Sequence, residues 1–203
     1  LSSVISAGIR RDTTDANKPP RKGTIAGLTV DYGGLGGDDK FVKPVAEFQA
    51  FYALSQNHIL HGKIKGGAVF ETESGNPVPV FERFFIGGMN SIRGYDSSTL
   101  SPRDPATGDH IGGDRMAFAN LEYIWVFYPD LGLAIVPFFD VGFNIDSGQS
   151  NSWSDNLVKS AGLELRWSSP MGDLRFSYGF PFDKAYDNER HSGKFEFSMG
   201  QNF

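Results

Sequence analysis

Histidine and acidic side chains are the residues of this sequence best suited to acid–base catalysis or metal binding. The chain has four histidines and no cysteine. His58 and His61 are three positions apart, which places them on opposite faces of a strand and argues against a shared metal ion. A protease dyad needs one histidine and one acidic residue, and Asp109 and His110, close to Asp114, supply these types. Because the chain has four histidines, finding one of them beside an acid is weak evidence for a dyad. We expect no catalytic residue and no metal site.

Two short segments match pieces of nucleotide-binding and β-lactamase motifs. Residues 33–37 are glycine-rich after a strand-like segment, but they are not followed by the helix and the Gly-Lys-Ser/Thr that a P-loop requires. Residues 154–156 read Ser-Asp-Asn, without the Ser-x-x-Lys and Lys-Thr-Gly motifs that accompany this tripeptide in β-lactamases. We interpret the first as a loop and the second as coincidence. The sequence therefore predicts no enzyme activity and no cofactor.

Composition excludes several further classes of protein. The chain has 203 residues, a net charge of −5 and no basic run, which argues against a nucleic-acid partner. The lack of cysteine excludes a disulfide scaffold, a cysteine–zinc site and thiol catalysis. The sequence has no stretch of 18 apolar residues, so it predicts no membrane-spanning helix. With 25 glycines, 18 phenylalanines and a mean hydropathy of −0.29, the composition favours β-structure in which apolar and polar residues alternate.

Period-2 alternation positions the polar side chains of this sequence on one face of each predicted strand. In the clearest case, Phe195, Phe197, Met199 and Phe203 share one face, opposite Glu196 and its polar neighbours. Helix patterns are nearly absent. We count five clear strands and four weaker ones. The clear strands are 116–127, 133–143, 160–167, 174–182 and 193–203, and the weaker ones are 1–13, 22–33, 40–54 and 58–71.

The apolar faces of these strands are crowded with aromatic residues and leucine, while the opposite faces carry glycine and charged or polar residues. Strands of about ten residues with this division are typical of a transmembrane β-barrel with lipid outside and a polar lumen inside. Aromatic residues near strand ends, such as Trp125 and Trp167, suit an interfacial girdle. A soluble β-sandwich or barrel is the alternative. The predicted lipid-facing residues are Leu121, Tyr123, Leu163, Leu165, Phe176, Tyr178, Phe195 and Phe197.

The predicted connections also fit a membrane barrel. From the third connection onward, short and long connections alternate, and the longest covers residues 72–114. Bacterial outer-membrane barrels have short periplasmic turns and longer external loops. We therefore predict an all-β, antiparallel transmembrane barrel of about nine strands in the bacterial outer membrane. Residues 1–203 would form one such domain.

Four ordered motifs carry a resemblance to a known family. Residues 84–95 read FFIGGMNSIRGY, and this segment resembles the F-x-x-G-G-x-x-x-[VI]-R-G-[FY] signature of the Omp85 superfamily. Residues 138–142 (FFDVG) resemble the family's F-x-D-x-G strand, and residues 165–172 contain its W-x-S-P-x-G turn. The last strand resembles the family's terminal β-signal, which alternates aromatic residues and closes on Phe203. The resemblance covers almost the whole chain.

The resemblance implies a non-enzymatic role in the assembly and insertion of outer-membrane proteins. A polypeptide-translocating Omp85 transporter and a passive small barrel are the alternatives. The implied partners are the lipid bilayer and, in the intact parent protein, unfolded outer-membrane proteins and lipoproteins of the assembly complex. Family barrels have sixteen strands, which 203 residues cannot supply. The chain therefore resembles strands eight to sixteen, the C-terminal half of such a barrel, without the soluble POTRA domains.

Nine strands pose a problem of closure. Single-chain bacterial barrels normally have an even number of strands, so nine require a parallel pairing of the first and last, a homodimer, or exclusion of strand one. Because open sheet edges in lipid are costly, we favour an incomplete or small closed barrel over an open sheet.

The resemblance also implies a latch in the lumen. In the family, the long loop folds back into the barrel, which would bring Arg93 near inward-facing carboxylates. Alternation places Glu122 and Asp140 on inner faces of the next two strands, and the planar guanidinium suits carboxylate partners at about 2.7–2.9 Å. Gly94 would allow close backbone passage and Tyr95 would anchor the loop to the wall. Together with Ile92, these residues form the predicted lumen latch.

Overall fold

The protein is an all-β molecule in a computed structural model that describes residues 3–34, 36, 39–73, 75, 77–149, 152–169, 172–184 and 192–200. Short 3-10 turns at Val80–Glu82 and Pro129–Leu131 are the only helical elements of these residues, and no helix among them is long and apolar enough to cross a membrane. The strands are β1 (Val4–Asp12), β2 (Gly23–Gly33), β3 (Phe41–Ala53), β4 (His58–Ala68), β5 (Phe70–Glu71), β6 (Arg115–Tyr128), β7 (Leu133–Ile145), β8 (Val158–Ser169), β9 (Gly172–Pro181) and β10 (Lys194–Met199).

Nine long strands form one antiparallel sheet in the order β1-β2-β3-β4-β6-β7-β8-β9-β10, and the short β5 pairs with β3. Each long strand pairs with its neighbour along the chain except that β4 pairs with β6 across the long loop. This arrangement confirms the predicted all-β antiparallel fold and its nine long strands. The predicted strands agree with the observed ones to within a few residues.

The fourth predicted strand, residues 58–71, is interrupted in the structure. β4 ends at Ala68, and Phe70 and Glu71 form β5, which pairs with Val42 and Phe41 of β3. At the break, the Val69 amide donates to the Asp114 carbonyl at 2.8 Å, and the Val69 side chain is buried. The prediction of one continuous strand was wrong here because the chain turns Val69 into the packed interior.

The two faces of the sheet differ as the alternation predicts. Seven of the eight residues predicted to face lipid have exposed side chains. The eighth, Phe176, is half-buried because the rings of Phe195 and Phe197 lie beside it on the same face, with centroids 6.5 and 5.0 Å away. Trp125 and Trp167, at strand ends, are exposed on the same outer surface. The inner face is polar or covered by the long loop.

The sheet curves around an interior cavity. A cavity of about 420 Å³ is lined by residues from both ends of the sheet, including Arg10 of β1 and Ser198 of β10. In the described residues β1 and β10 each pair with one strand only, so the barrel is not closed. Of the arrangements left open by the strand count, the structure shows an incomplete barrel with β1 included in the sheet.

Replacing Leu163, an exposed residue in the middle of β8, with lysine is expected to destabilise the membrane-inserted protein. A lysine on the lipid face near the bilayer midplane costs about 2–4 kcal/mol. Thr29→Lys is the matched control, because Thr29 lies mid-strand in β2 and lines an interior cavity. Urea unfolding of the full-length protein in lipid vesicles measures both. An equal cost for the two lysines would contradict the assignment of inner and outer faces.

Candidate functional site

The long loop between β4 and β6 contributes to one of the two buried apolar clusters of the described residues. Its residues pack against the inner face of the sheet and form an apolar cluster that contains Ile92 and Tyr95, both 0% exposed. Ile92 fits against Gly142 of β7, where a Cβ would lie 2.9 Å from the Ile92 Cδ1. The other members of the cluster are Phe41, Val69, Val78, Phe84, Ile86, Leu100, Met116, Phe118 and Val158.

Arg93 follows Ile92 in the loop, and only 1% of its surface is exposed. Its Nε donates to Asp140 Oδ2 at 2.8 Å and its Nη2 donates to Asp140 Oδ1 at 2.7 Å. The Arg93 backbone amide donates to the same carboxylate at 3.0 Å. The guanidinium stacks over the Phe138 ring, 3.6 Å from its centroid. This two-pronged pairing fixes both the side chain and the backbone of the loop to β7.

Two further carboxylates complete the surroundings of the Arg93 guanidinium. Nη1 donates to Glu122 Oε1 at 2.7 Å and to Glu164 Oε2 at 3.0 Å. Arg166 donates to Glu122 at 2.7 Å, and Arg175 donates to Glu164 at 2.7 and 2.9 Å. The result is an ionic cluster of three guanidinium groups and three carboxylates. We call it the lumen ionic cluster; its members are Arg93, Glu122, Asp140, Glu164, Arg166 and Arg175.

The structure brings Arg93 within hydrogen-bond distance of both acids that the sequence analysis named, Glu122 and Asp140. It adds Glu164, Arg166 and Arg175, which the sequence analysis left out of the latch. The signal was present in the sequence, because alternation places Glu164 and Arg166 on the inner face of β8. The sequence alone did not give the register between the strands. In the structure, Glu164 of β8 pairs with Val136 of β7, two residues from Phe138.

The backbone of Gly94 packs against the inner face of β9 at a point where a side chain would not fit. A Cβ on Gly94, whose φ is +88°, would lie 2.9 Å from the Gly179 carbonyl carbon. A Cβ on Gly179 would lie 2.8 Å from the Gly94 Cα. Since real Cβ contacts are never this short, two glycines are needed where the loop backbone meets β9. This is the close backbone passage that the sequence analysis expected of Gly94.

Tyr95 anchors the next position of the loop. Its hydroxyl donates to the Asp183 carbonyl at 3.0 Å and lies 3.2 Å from the Lys159 carbonyl. Burial raises the pKa of Tyr95 to about 12, so the hydroxyl remains a donor throughout the physiological pH range. The side chain therefore ties the loop to β8 and to the residues that follow β9.

The two histidines of β4 lie on opposite faces, as their spacing predicts. His58 is on the outer face, with its Nδ1 2.6 Å from the Tyr123 hydroxyl. His61 points inward, with Nδ1 2.8 Å from Glu122 and its ring stacked on Phe51 at 4.2 Å. Among the described residues, no group of three or more acidic or histidine side chains is placed to hold a metal ion. The chemistry of the site is ion pairing.

The remaining candidate residues lie apart from the lumen ionic cluster. Phe195, Phe197 and Met199 of the predicted β-signal are exposed on the outer face of β10, and Phe203 lies outside the described residues. The His110 Nδ1 is buried with no hydrogen-bond partner in the described part of the chain, while Asp114 accepts from the Ser147 amide at 3.1 Å. These contacts give no support to a dyad in the long loop.

Comparison with known proteins gives matches over the whole chain. Residues 1–203 match the family described as "Omp85 superfamily domain". The outer membrane protein assembly factor BamA of Nitratidesulfovibrio vulgaris is 63% identical over 100% of the chain, which covers 26% of that protein. BamA of Neisseria meningitidis serogroup B is 25% identical over 98% of the chain, which covers 28% of it. The chain thus spans about a quarter of the length of each of these two relatives.

A solved structure shares the fold. The crystal structure of BamA from Haemophilus ducreyi lacking POTRA domains 1–3 matches with a TM-score of 0.82 and 24% sequence identity. The match covers 96% of this chain and 41% of that one. At this identity the likeness establishes the fold alone. The partial coverage of that chain agrees with the expectation from the motifs that these residues are the C-terminal part of a larger barrel.

Replacing Arg93 with alanine is expected to destabilise the folded protein and free the loop. Glu122 and Glu164 would keep Arg166 and Arg175. Asp140 would lose its cationic partner and keep two neutral donors, the Asn120 side-chain amide at 2.8 Å and the backbone amide of residue 93 at 3.0 Å. Removing one partner of a buried ion pair typically costs about 3–5 kcal/mol, and about 1 kcal/mol if water screens the site. Denaturant unfolding and limited proteolysis of residues 72–114 in the full-length protein measure the two effects.

The design includes its own controls. Arg93→Lys keeps the charge but loses the planar fork, so we expect an intermediate loss. Asp140→Asn in the Arg93→Ala background removes the stranded charge and should recover part of the stability. Unchanged unfolding and an unchanged proteolysis pattern in Arg93→Ala would show that the loop is held by its apolar contacts alone.

Proposed function

Because the chain belongs to the Omp85 superfamily, we propose that it is part of the barrel of an outer-membrane protein assembly factor in the bacterial outer membrane. The observation that carries the proposal is the 63% identity to an assembly factor across all of this chain. We propose that residues 1–203 form one transmembrane domain without a POTRA domain, closed in the intact protein by strands that precede them.

The proposed role is mechanical and not enzymatic. The backbone edge of β10 has no strand beyond it in the described residues, and an unpaired edge can template an incoming strand. The proposed partners are the lipid bilayer, unfolded outer-membrane proteins and the lipoproteins of the assembly complex. For the isolated chain, the same edges support a proposal that two copies pair as a homodimer.

We propose that the lumen latch keeps the long loop inside the barrel while the edge of β10 templates an incoming strand. The support is the burial of Arg93 among three carboxylates and the close passage of Gly94 over β9. A buried ionic cluster adds little net stability relative to apolar packing, but it defines one register for the loop. The β-signal residues Phe195, Phe197, Met199 and Phe203 are proposed as the recognition element for the host's assembly machinery.

A chimera tests the assembly function. In cells depleted of their own factor, N. vulgaris BamA carrying this chain in place of the aligned segment is expected to restore growth and the levels of outer-membrane barrel proteins. Arg93→Ala in the chimera should reduce both, and Thr29→Ala, on the inner face away from the latch, should not. A chimera that reaches the outer membrane folded and restores neither would favour a translocating transporter or a passive barrel.

Deleting Phe203 is expected to lower the yield of the protein in the outer membrane while leaving its unfolding in vitro nearly unchanged. The reason is the proposed role of the terminal aromatic residue as a recognition signal during assembly. Quantifying folded protein in outer-membrane fractions, beside urea unfolding of the purified protein, separates the two effects. Equal yields with and without Phe203 would contradict the role of the β-signal.

A further inference from the structure

The inner face of the terminal strand β10 holds a carboxylate against the lumen loop. Glu196 lies between the outward-facing Phe195 and Phe197, and its own side chain is 11% exposed. Its Oε2 accepts from the Gly94 amide at 3.3 Å. Its Oε1 lies 3.4 Å from the position that a Cβ on Gly88 would occupy. The Glu196 carboxylate therefore binds the Gly94 amide and lies near Gly88, at the two ends of the segment formed by residues 88–94.

The turn is built to present this site. Within it, the Gly88 amide donates to the Ile92 carbonyl and the Ser91 amide donates to the Gly88 carbonyl, each at 3.1 Å. Gly88 and Gly94 both have positive φ values, +85° and +88°. This conformation suits glycine and turns the Gly94 amide toward β10. Glu196 thus caps the turn from the opposite strand.

A second contact lies two residues earlier in β10. The Lys194 ammonium pairs with Asp96 of the loop and lies 3.8 Å from Glu196. Lys194 is the cross-strand partner of Gly179, the residue over which Gly94 passes. The contacts of Asp96 and Gly94 therefore bring the loop onto β10 beside the place where it crosses β9.

Residues 93–96 follow one row of the sheet from the middle to the edge. Phe138, Gly162, Gly179 and Lys194 are successive cross-strand partners on β7, β8, β9 and β10. Arg93 stacks on the first of them, Gly94 packs on the third and Asp96 pairs with the fourth. A single short segment of the loop therefore links the lumen ionic cluster to the terminal strand.

We propose that Glu196 and Lys194 are positioning residues that couple docking of the lumen loop to the order of β10. Among the described residues, β10 pairs with β9 alone, so the contacts of Lys194 and Glu196 with the loop add to what holds this strand in place. Because such coupling is reciprocal, release of the loop loosens β10, and loss of the β10 contacts loosens the loop. This coupling is a property of the folded protein itself, so it can be measured without an assembly assay.

Hydrogen exchange of the full-length protein in lipid nanodiscs, read by mass spectrometry, tests the coupling. Glu196→Ala is expected to speed exchange about fivefold in β10 and also in residues 88–96, while β6 and β7 keep their rates. Glu196→Gln keeps an acceptor oxygen for the Gly94 amide and should lie close to the unmodified protein. Arg93→Ala, which acts at the far end of the segment, should speed exchange in β10.

Two further variants make the test decisive. Ser198→Ala changes the same face of β10 two residues beyond Glu196 and should leave the exchange of the loop unchanged. Asp96→Ala removes the partner of Lys194 at a side chain that is 63% exposed, so it is tolerated even if Glu196→Ala fails to fold. Faster exchange confined to the substituted element, or unchanged exchange in β10 when Arg93 or Asp96 is replaced, would overturn the proposal.

Discussion

The ion pairs of the buried Arg93 guanidinium fix the long loop against the inner face of the sheet. They join one loop residue to carboxylates on β6, β7 and β8, so three neighbouring strands and the loop share a single contact point. The cluster is balanced, with three cations and three anions, which offsets the cost of removing them from water. Its value is geometric: a planar fork and a carboxylate fit in one orientation, and that orientation sets where the loop enters the lumen.

The two glycine contacts show the steric counterpart of this electrostatic constraint. Gly94 and Gly179 let two backbones approach more closely than any other residue allows, and Gly142 receives Ile92 in the same way. Because β7 and β9 carry glycine at these two positions, the inner face of the sheet is complementary in shape to the loop. The polar inner face of the sheet is thus divided between charged residues that bind the loop and small residues that make room for it.

Most of the fold follows from the sequence because the period-2 alternation is strong on both faces. The clear strands, the outward position of Leu163 and the inward positions of Glu122 and Asp140 all come from that pattern. The interruption at Val69 does not, because it depends on a hydrogen bond to Asp114, 45 positions away. Glu164, Arg166 and Arg175 were on the expected strands, but only the register between strands shows that they meet Arg93.

The pairing of β4 with β6 has a consequence for the order in which the molecule forms. Residues 69–114 lie between these strands, so their pairing must close a long loop, whereas β6–β7 and β3–β4 close short ones. Closing a longer loop costs more chain entropy and slows the formation of the contacts it joins. The apolar cluster under the loop also draws on Phe41 in β3 and Val158 in β8, far apart in sequence. We therefore expect the loop to enter the lumen late in folding, after the strands that it packs against have paired.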